Sequence, residues 1–207
     1  MRLFIAIMPP AEIVEELKGL QKGLLAGGAR IGAAEQAGWD KEKEVLLVRK
    51  SPWRPSAPDQ LHLTLQFLGD GINLHQKEEI RKALEGVGPK HAPFEIRPAG
   101  LGAFPSPARA SVLWAGVEGS GLEGLAQDIE AALLPLDIKR DKPFAAHITL
   151  ARSKLPQDAK AMLAPYADRA WGEKSWKAEE FLLMESTEAL GRREHEVVQR
   201  YALGTAP

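Results

Sequence analysis

The chain contains no cysteine. That absence excludes disulfides, thiolate-held zinc, iron–sulfur clusters and a thiol nucleophile, and it suits a reducing compartment such as the cytoplasm. Nor does any apolar run approach the ~18 residues of a membrane span. The opening run from Met1 to Met8 stops at Pro9-Pro10 and gives way to Glu12, Glu15, Glu16 and Lys18, so it is expected to be a buried first strand rather than a leader. A surplus of charge is missing too. With 27 Lys and Arg against 28 Asp and Glu, there is no global basic field, and any nucleic-acid contact must come from a local patch. The His-Glu-x-x-His zinc motif, the Gly-x-Ser-x-Gly nucleophile elbow and the phosphate loop of nucleotide triphosphatases are all absent.

What is present is a core-forming composition, 44% hydrophobic over 207 residues, which predicts a single domain of two packed lobes over residues 1–207. Residues 3–8 are expected to form a central strand. Residues 11–25 are expected to form a helix, because Ile13, Val14, Leu17, Leu20 and Leu24 recur at helical spacing and Gly27-Gly28 can end it. From about 27 to 50, glycines and the charge run Lys41-Glu42-Lys43-Glu44 predict a surface insertion with a short strand at 45–48. Residues 51–58 read as a proline-stiffened connector to a strand over 61–68, with Leu61, Leu63, Leu65 and Phe67 toward the core and His62, Thr64 and Gln66 on the other face. Further on, the pattern predicts a helix over 74–87, strands over 94–101 and 110–117 around a loop at 102–107, and a helix over 122–134. A strand over 145–151 ending in Arg152, a short helix near 157–164 and strands near 176–185 and 195–203 complete the chain. The rhythm strand, helix, strand, strand occurs twice, which predicts an α+β fold with mainly antiparallel sheets.

Within this grammar one short phrase is repeated. Leu61-His62-Leu63-Thr64-Leu65 returns as Ala146-His147-Ile148-Thr149-Leu150, with the histidines 85 residues apart. In a strand, His and Thr two apart share a face while the aliphatics take the other. Two related halves would thus place one His-x-Thr each on a shared cleft. Imidazole titrates near neutrality, so one copy can take a proton from water while the other gives one to a leaving oxygen. A threonine hydroxyl beside each ring can hydrogen-bond a non-bridging oxygen of a tetrahedral anion, and a phosphodiester is the obvious candidate. Each strand offers only one good metal ligand, so neither metal nor other cofactor is expected.

Other residues are weaker candidates. Arg152, directly after the second motif strand, can present a planar fork to a phosphate or make a surface ion pair. Arg54, Arg109 and Arg140 can rim a site, and Trp53 and Phe104 can stack on a base or serve the core. His75, His91 and His195 lie among polar residues and are expected to be solvated.

Taken together, the two His-x-Thr-Leu segments resemble the paired signature motifs of the 2H phosphoesterases. The opening Met1-Arg2-Leu3-Phe4-Ile5-Ala6-Ile7, the run Gly100 to Pro107, the segment Val112-Leu113-Trp114-Ala115-Gly116-Val117 and Thr149-Leu150-Ala151-Arg152 resemble its bacterial and archaeal RNA 2′,3′-cyclic phosphodiesterase branch, also called 2′-5′ RNA ligase-like. The resemblance spans nearly the whole chain. It implies a bilobal, pseudo-twofold α+β fold with helices outside and a central cleft. It also implies metal-independent opening of a terminal 2′,3′-cyclic phosphate to a 2′-phosphate. His62 and His147 would be the acid/base pair, with His62 protonating O3′ and His147 activating water, and Thr64, Thr149 and Arg152 would hold the phosphate. RNA ends or small cyclic nucleotides are the implied partners, with no membrane, and nothing demands more than a monomer. A 2′-5′ RNA ligase, a phosphodiesterase for a small cyclic or 2′-5′-linked nucleotide, and a non-enzymatic RNA-end-binding module are the alternatives. The stretch over about 27–50 exceeds the family's usual passage between first helix and motif strand and is expected to form a flap near the cleft.

Overall fold

The computed structural model describes residues 1–30, 51–189 and 192–204. Among the described residues nine strands form one sheet in which every pairing is antiparallel. The strands are β1 (Arg2–Ile7), β2 (Trp53–Pro55), β3 (Leu63–Gly69), β4 (Phe94–Phe104), β5 (Ala110–Glu118), β6 (His147–Gln157), β7 (Trp176–Ala178), β8 (Glu180–Ala189) and β9 (Arg192–Ala202). Four α-helices among the described residues accompany them: α1 (Ala11–Arg30), α2 (Leu74–Leu84), α3 (Leu122–Leu133) and the single turn α4 (Lys160–Leu163).

The spatial order β7-β4-β5-β6-β3-β1-β8-β9 divides into two four-stranded halves. They meet where β3 and β6 pair through one residue couple, Leu63 opposite Ile148. Each motif strand is therefore the inner edge of its own half, the arrangement expected of two related lobes sharing a cleft. β2 pairs farther along β6.

Strand alternation sends Leu3, Ile5 and Ile7 into the main core with Ile13 and Leu17 of α1, Ile80 and Leu84 of α2, and Leu125 and Ile129 of α3. On the other face Phe4 and Ala6 form a small cluster with Leu182 and Met184 of β8. One side of the sheet is thus sealed by helices, and the other carries the polar residues described below.

Several boundaries differ from the sequence pattern. Helix α1 continues past Gly27-Gly28 to Arg30, because a glycine inside a helix costs only about 1 kcal/mol and does not have to end it. The expected insertion overlaps that helix, and its remainder, 31–50, with the strand at 45–48 and the flap, lies outside the described residues. The connector before the first motif contains β2, with Arg54 opposite Arg152. The pairing of β3 with β1 is interrupted by two register shifts, one between Ile5 and Ala6, so the inward–outward alternation slips. Gln66 is consequently buried and Phe67 is 41% exposed on the cleft side, the reverse of their expected faces. Strands β4 and β6 extend beyond their predicted ends to Phe104 and Gln157. The single strand expected near 176–185 is two, β7 on β4 at one edge of the sheet and β8 on β1 in the other half.

Candidate active site

The seam between β3 and β6 sets the geometry. Extending the Leu63–Ile148 register by one residue each way places His62 opposite Thr149 and Thr64 opposite His147. On that extension each histidine stands across the seam from the other motif's threonine. The two histidines are then diagonal neighbours, up to about 7–8 Å apart in ordinary sheet geometry, room for one tetrahedral anion between them.

Two cavities adjoin there. A polar one of about 160 Å³ is walled by His62, Thr149, Arg152, Arg2, Arg193 and His195. A wider one of about 670 Å³ is walled by His147 with Phe104, Phe144, Arg140 and Lys142. Thr64 and Phe67 border both.

Backbone clamps hold the second motif in place. Ser56 N–H donates to the Leu150 carbonyl at 2.8 Å, and Ser56 Oγ donates to the Thr149 carbonyl at 2.8 Å. From α1, the buried Gln21 donates through Nε2 to the carbonyls of Ser56 (3.0 Å) and Leu150 (2.7 Å). A first helix far away in sequence thereby ties the connector to the motif strand.

His147 Nδ1 lies 2.6 Å from the Ala145 carbonyl, which can only accept, so Nδ1 carries the hydrogen and Nε2 is left for the cleft. Its ring meets Phe104 edge-on at 5.0 Å and Trp114 at 6.1 Å. Gly102 makes this wall possible, because a Cβ there would run into the Trp114 indole. His62, just before β3, packs 4.8 Å from the Phe4 ring and 5.2 Å from His195. Burial first, then the neighbouring His195 charge, with smaller effects of Arg152 and His147, push the His62 pKa down to about 4. The Gln60 carbonyl opposes that shift but does not reach good hydrogen-bond geometry, and Nδ1 is buried without a partner. Burial, and to a lesser degree Arg152, lower His147 below its ordinary value, against the pull of the Ala145 carbonyl.

Arg152 lines the polar cavity and is open to solvent, makes no hydrogen bond or ion pair among the described residues, and is repelled by Arg193 and Arg2. A free guanidinium fork beside an imidazole and two hydroxyls is suited to an anion. Among the described residues no three His, Cys, Asp or Glu side chains group as metal ligands.

The remaining candidates separate clearly. Phe104 and Arg140 line the wider cavity, Arg140 donating to the Ala126 carbonyl at 2.8 Å. Trp53 is buried in the core, and Arg54 and Arg109 are exposed and line neither cavity. His75 is exposed as expected. His91 is not: it is mostly buried, with Nε2 2.9 Å from Asp128 Oδ2. His195 is a second correction, since it forms part of the cavity wall rather than a solvated charge run. Arg2, Arg193 and His195 escape the sequence reading because the expected strands begin one residue after Arg2 and at His195, cutting the alternation that puts all three toward the cleft.

Paired His-x-Thr strands side by side on the helix-free face of an antiparallel α+β sheet define a 2H phosphoesterase. The chain belongs to the 2′-5′ RNA ligase superfamily, whose family model matches residues 46–189. An Archaeoglobus fulgidus protein named RNA 2′,3′-cyclic phosphodiesterase is 32% identical over 175 residues, 84% of this chain and 85% of its own. A Thermus thermophilus crystal structure superposes with a TM-score of 0.75 at 27% identity, covering 99% of both chains. Escherichia coli LigT solved with 3′-AMP gives 0.65 at 26% identity over 98% of each chain.

Proposed function

We propose that this enzyme hydrolyses RNA ending in a 2′,3′-cyclic phosphate to a 2′-phosphate, without a metal, by acid/base catalysis between His62 and His147. The observation that carries this reading is the pairing of Leu63 with Ile148 at the seam, which supports a site with each histidine across from the other motif's threonine and space for one phosphate between them. Thr64 and Thr149 donate hydroxyl hydrogens to the non-bridging oxygens, and Arg152 neutralises the phosphodiester charge. One histidine removes a proton from water as its oxygen attacks phosphorus. The P–O3′ bond breaks, and the other histidine delivers a proton to O3′. The family resemblance gives the second task to His62, whose pKa, lowered first by burial, an anionic substrate beside the ring would raise. The terminal base has a place in the wider cavity against Phe104 and Phe144. The name of the Archaeoglobus relative and the 3′-AMP bound to LigT are in keeping with such a substrate.

A bridging 3′-sulfur leaves without help from an acid. On a 3′-thio cyclic substrate, His62→Ala is expected to recover near wild-type rates while His147→Ala stays slow; equal slowness of both variants on that substrate contradicts the assignment. The superfamily's description favours a second reading, 2′-5′ ligation, in which a 5′-hydroxyl replaces water as the attacking group while the P–O3′ bond breaks and O3′ is protonated in the same way. Incubating a 2′,3′-cyclic phosphate end with a 5′-hydroxyl end and separating joined from hydrolysed product distinguishes them. No helix among the described residues is long and apolar enough to cross a membrane. A cytoplasmic, RNA-processing setting matches the cysteine-free composition.

A further inference from the structure

The cleft holds more positive charge than one cyclic phosphate requires. A phosphodiester carries a single negative charge, which Arg152 with the two threonines can meet. Yet Arg2, Arg193 and His195 line the same cavity. Sheet register groups them: Arg2 pairs with Ser186 across β1 and β8, and Ser186 pairs with His195 across β8 and β9, so the three form one row on one face. Arg193, two residues before His195 on β9, shares that face.

Little within the protein balances this row. Asp70 approaches Arg2 Nε at 3.5 Å, and Asp59 attracts His195, but the Arg193 guanidinium makes no ion pair among the described residues. The Arg2 guanidinium is held over the Phe67 ring, 4.6 Å from its centre. Gln60 donates to the Arg193 carbonyl at 2.6 Å, fixing the start of β9 against the segment that leads into His62. Ser186 Oγ and His195 Nδ1 are buried with no partner. The Arg2 and Arg193 guanidiniums repel Arg152, a cost that an anion between them offsets, and the His195 imidazole, its pKa lowered first by burial, adds a hydrogen-bonding ring beside them.

We propose that Arg2, Arg193 and His195 form a second anion subsite, which takes the internucleotide phosphodiester next to the terminal cyclic phosphate and makes oligonucleotide ends better substrates than mononucleoside cyclic phosphates. This rests on the cyclic phosphate lying between His62 and His147, with its base in the apolar cavity and the Arg2, Arg193 and His195 side of the polar cavity left for the RNA backbone. Arginine forks on a phosphodiester give charge-assisted hydrogen bonds that position the chain without reading its sequence.

The test compares two dinucleotides ending in 2′,3′-cyclic phosphate, one joined by a phosphodiester and one by a methylphosphonate, which has nearly the same shape without the charge. For the wild-type enzyme kcat/KM is expected to be about 10-fold or more higher for the charged link, the size of one charge-assisted contact. In Arg193→Gln, an exposed substitution on an edge strand, the ratio falls toward one. Equal kcat/KM for the two links on the wild-type enzyme, or an unchanged ratio in Arg193→Gln, overturns the subsite. Absence of turnover on both substrates defeats the proposed hydrolysis instead. The same ratio is then read by calorimetry as Kd for the two dinucleotide 2′-phosphates, with equal affinities overturning the subsite.

Discussion

At the residue scale the proposed acid/base roles require His62 and His147 to carry one proton between them. In the free enzyme His62 is held at about 4 and His147 below its ordinary value. The singly protonated pair therefore dominates on the acid side of neutrality, and kcat/KM should describe a bell peaking below about pH 6.5. A bound phosphodiester stabilises both imidazolium forms, so the bell in kcat should lie at higher pH; coincident profiles would show that the anion does not sit between the rings. His62→Ala and His147→Ala are each expected to lower kcat by ~10²–10⁴-fold. Replacing His195 with Asn removes a like charge from beside His62, so the His62 titration followed by NMR should move to higher pH. An unmoved titration would leave burial, with the smaller effects of Arg152 and His147, as its cause.

At the scale of elements, the site depends on backbone held from outside it. Gln21→Leu removes the side-chain donor to the Ser56 and Leu150 carbonyls, the latter keeping the Ser56 N–H, at a cost of about 1–3 kcal/mol in stability by urea denaturation. Because those carbonyls flank Thr149, kcat should fall as well. Gly102→Ala must displace the Trp114 ring and with it the wall behind Phe104 and His147. It should reduce activity with little change in far-ultraviolet circular dichroism.

These elements also show what could be read from the chain. The motif strands were legible because aliphatic alternation brackets each His-x-Thr, and α1 and α3 because their apolar residues recur at helical spacing. Arg193 and His195 were hidden by the charged run around them, since only the pairing of β9 with β8 reveals which of those residues face the cleft. The exchange of Gln66 and Phe67 was equally invisible, because the register shifts in β3 arise from its pairing with β1 and leave no local signature. Gln21 looked like one polar residue on a helix, and its role depends on two carbonyls brought to it by the fold.

At the scale of the whole molecule, the cleft is a weak point that its ligand should relieve. His62 is buried with a folded pKa of about 4 against about 6.5 when unfolded, so the unfolded chain binds a proton that the folded chain refuses. Stability is complete above about pH 6.5 and falls as the pH drops to 4, by on the order of 3 kcal/mol from this group alone. His147 and His195 shift in the same direction. Urea midpoints at pH 7.5 and 4.5 should differ accordingly, and inorganic phosphate should recover part of the loss. Midpoints independent of pH would contradict the burial of a neutral His62.

The seam register, the paired histidines and threonines and Arg152 beside them support the proposed reaction. Its most direct measurement is to incubate the EDTA-treated enzyme with a short RNA bearing a terminal 2′,3′-cyclic phosphate and identify the phosphate left at the end. Complete conversion to the 2′-phosphate, undiminished by the chelator, is the predicted result. A 3′-phosphate product, or activity that returns only on adding a divalent metal, would contradict it.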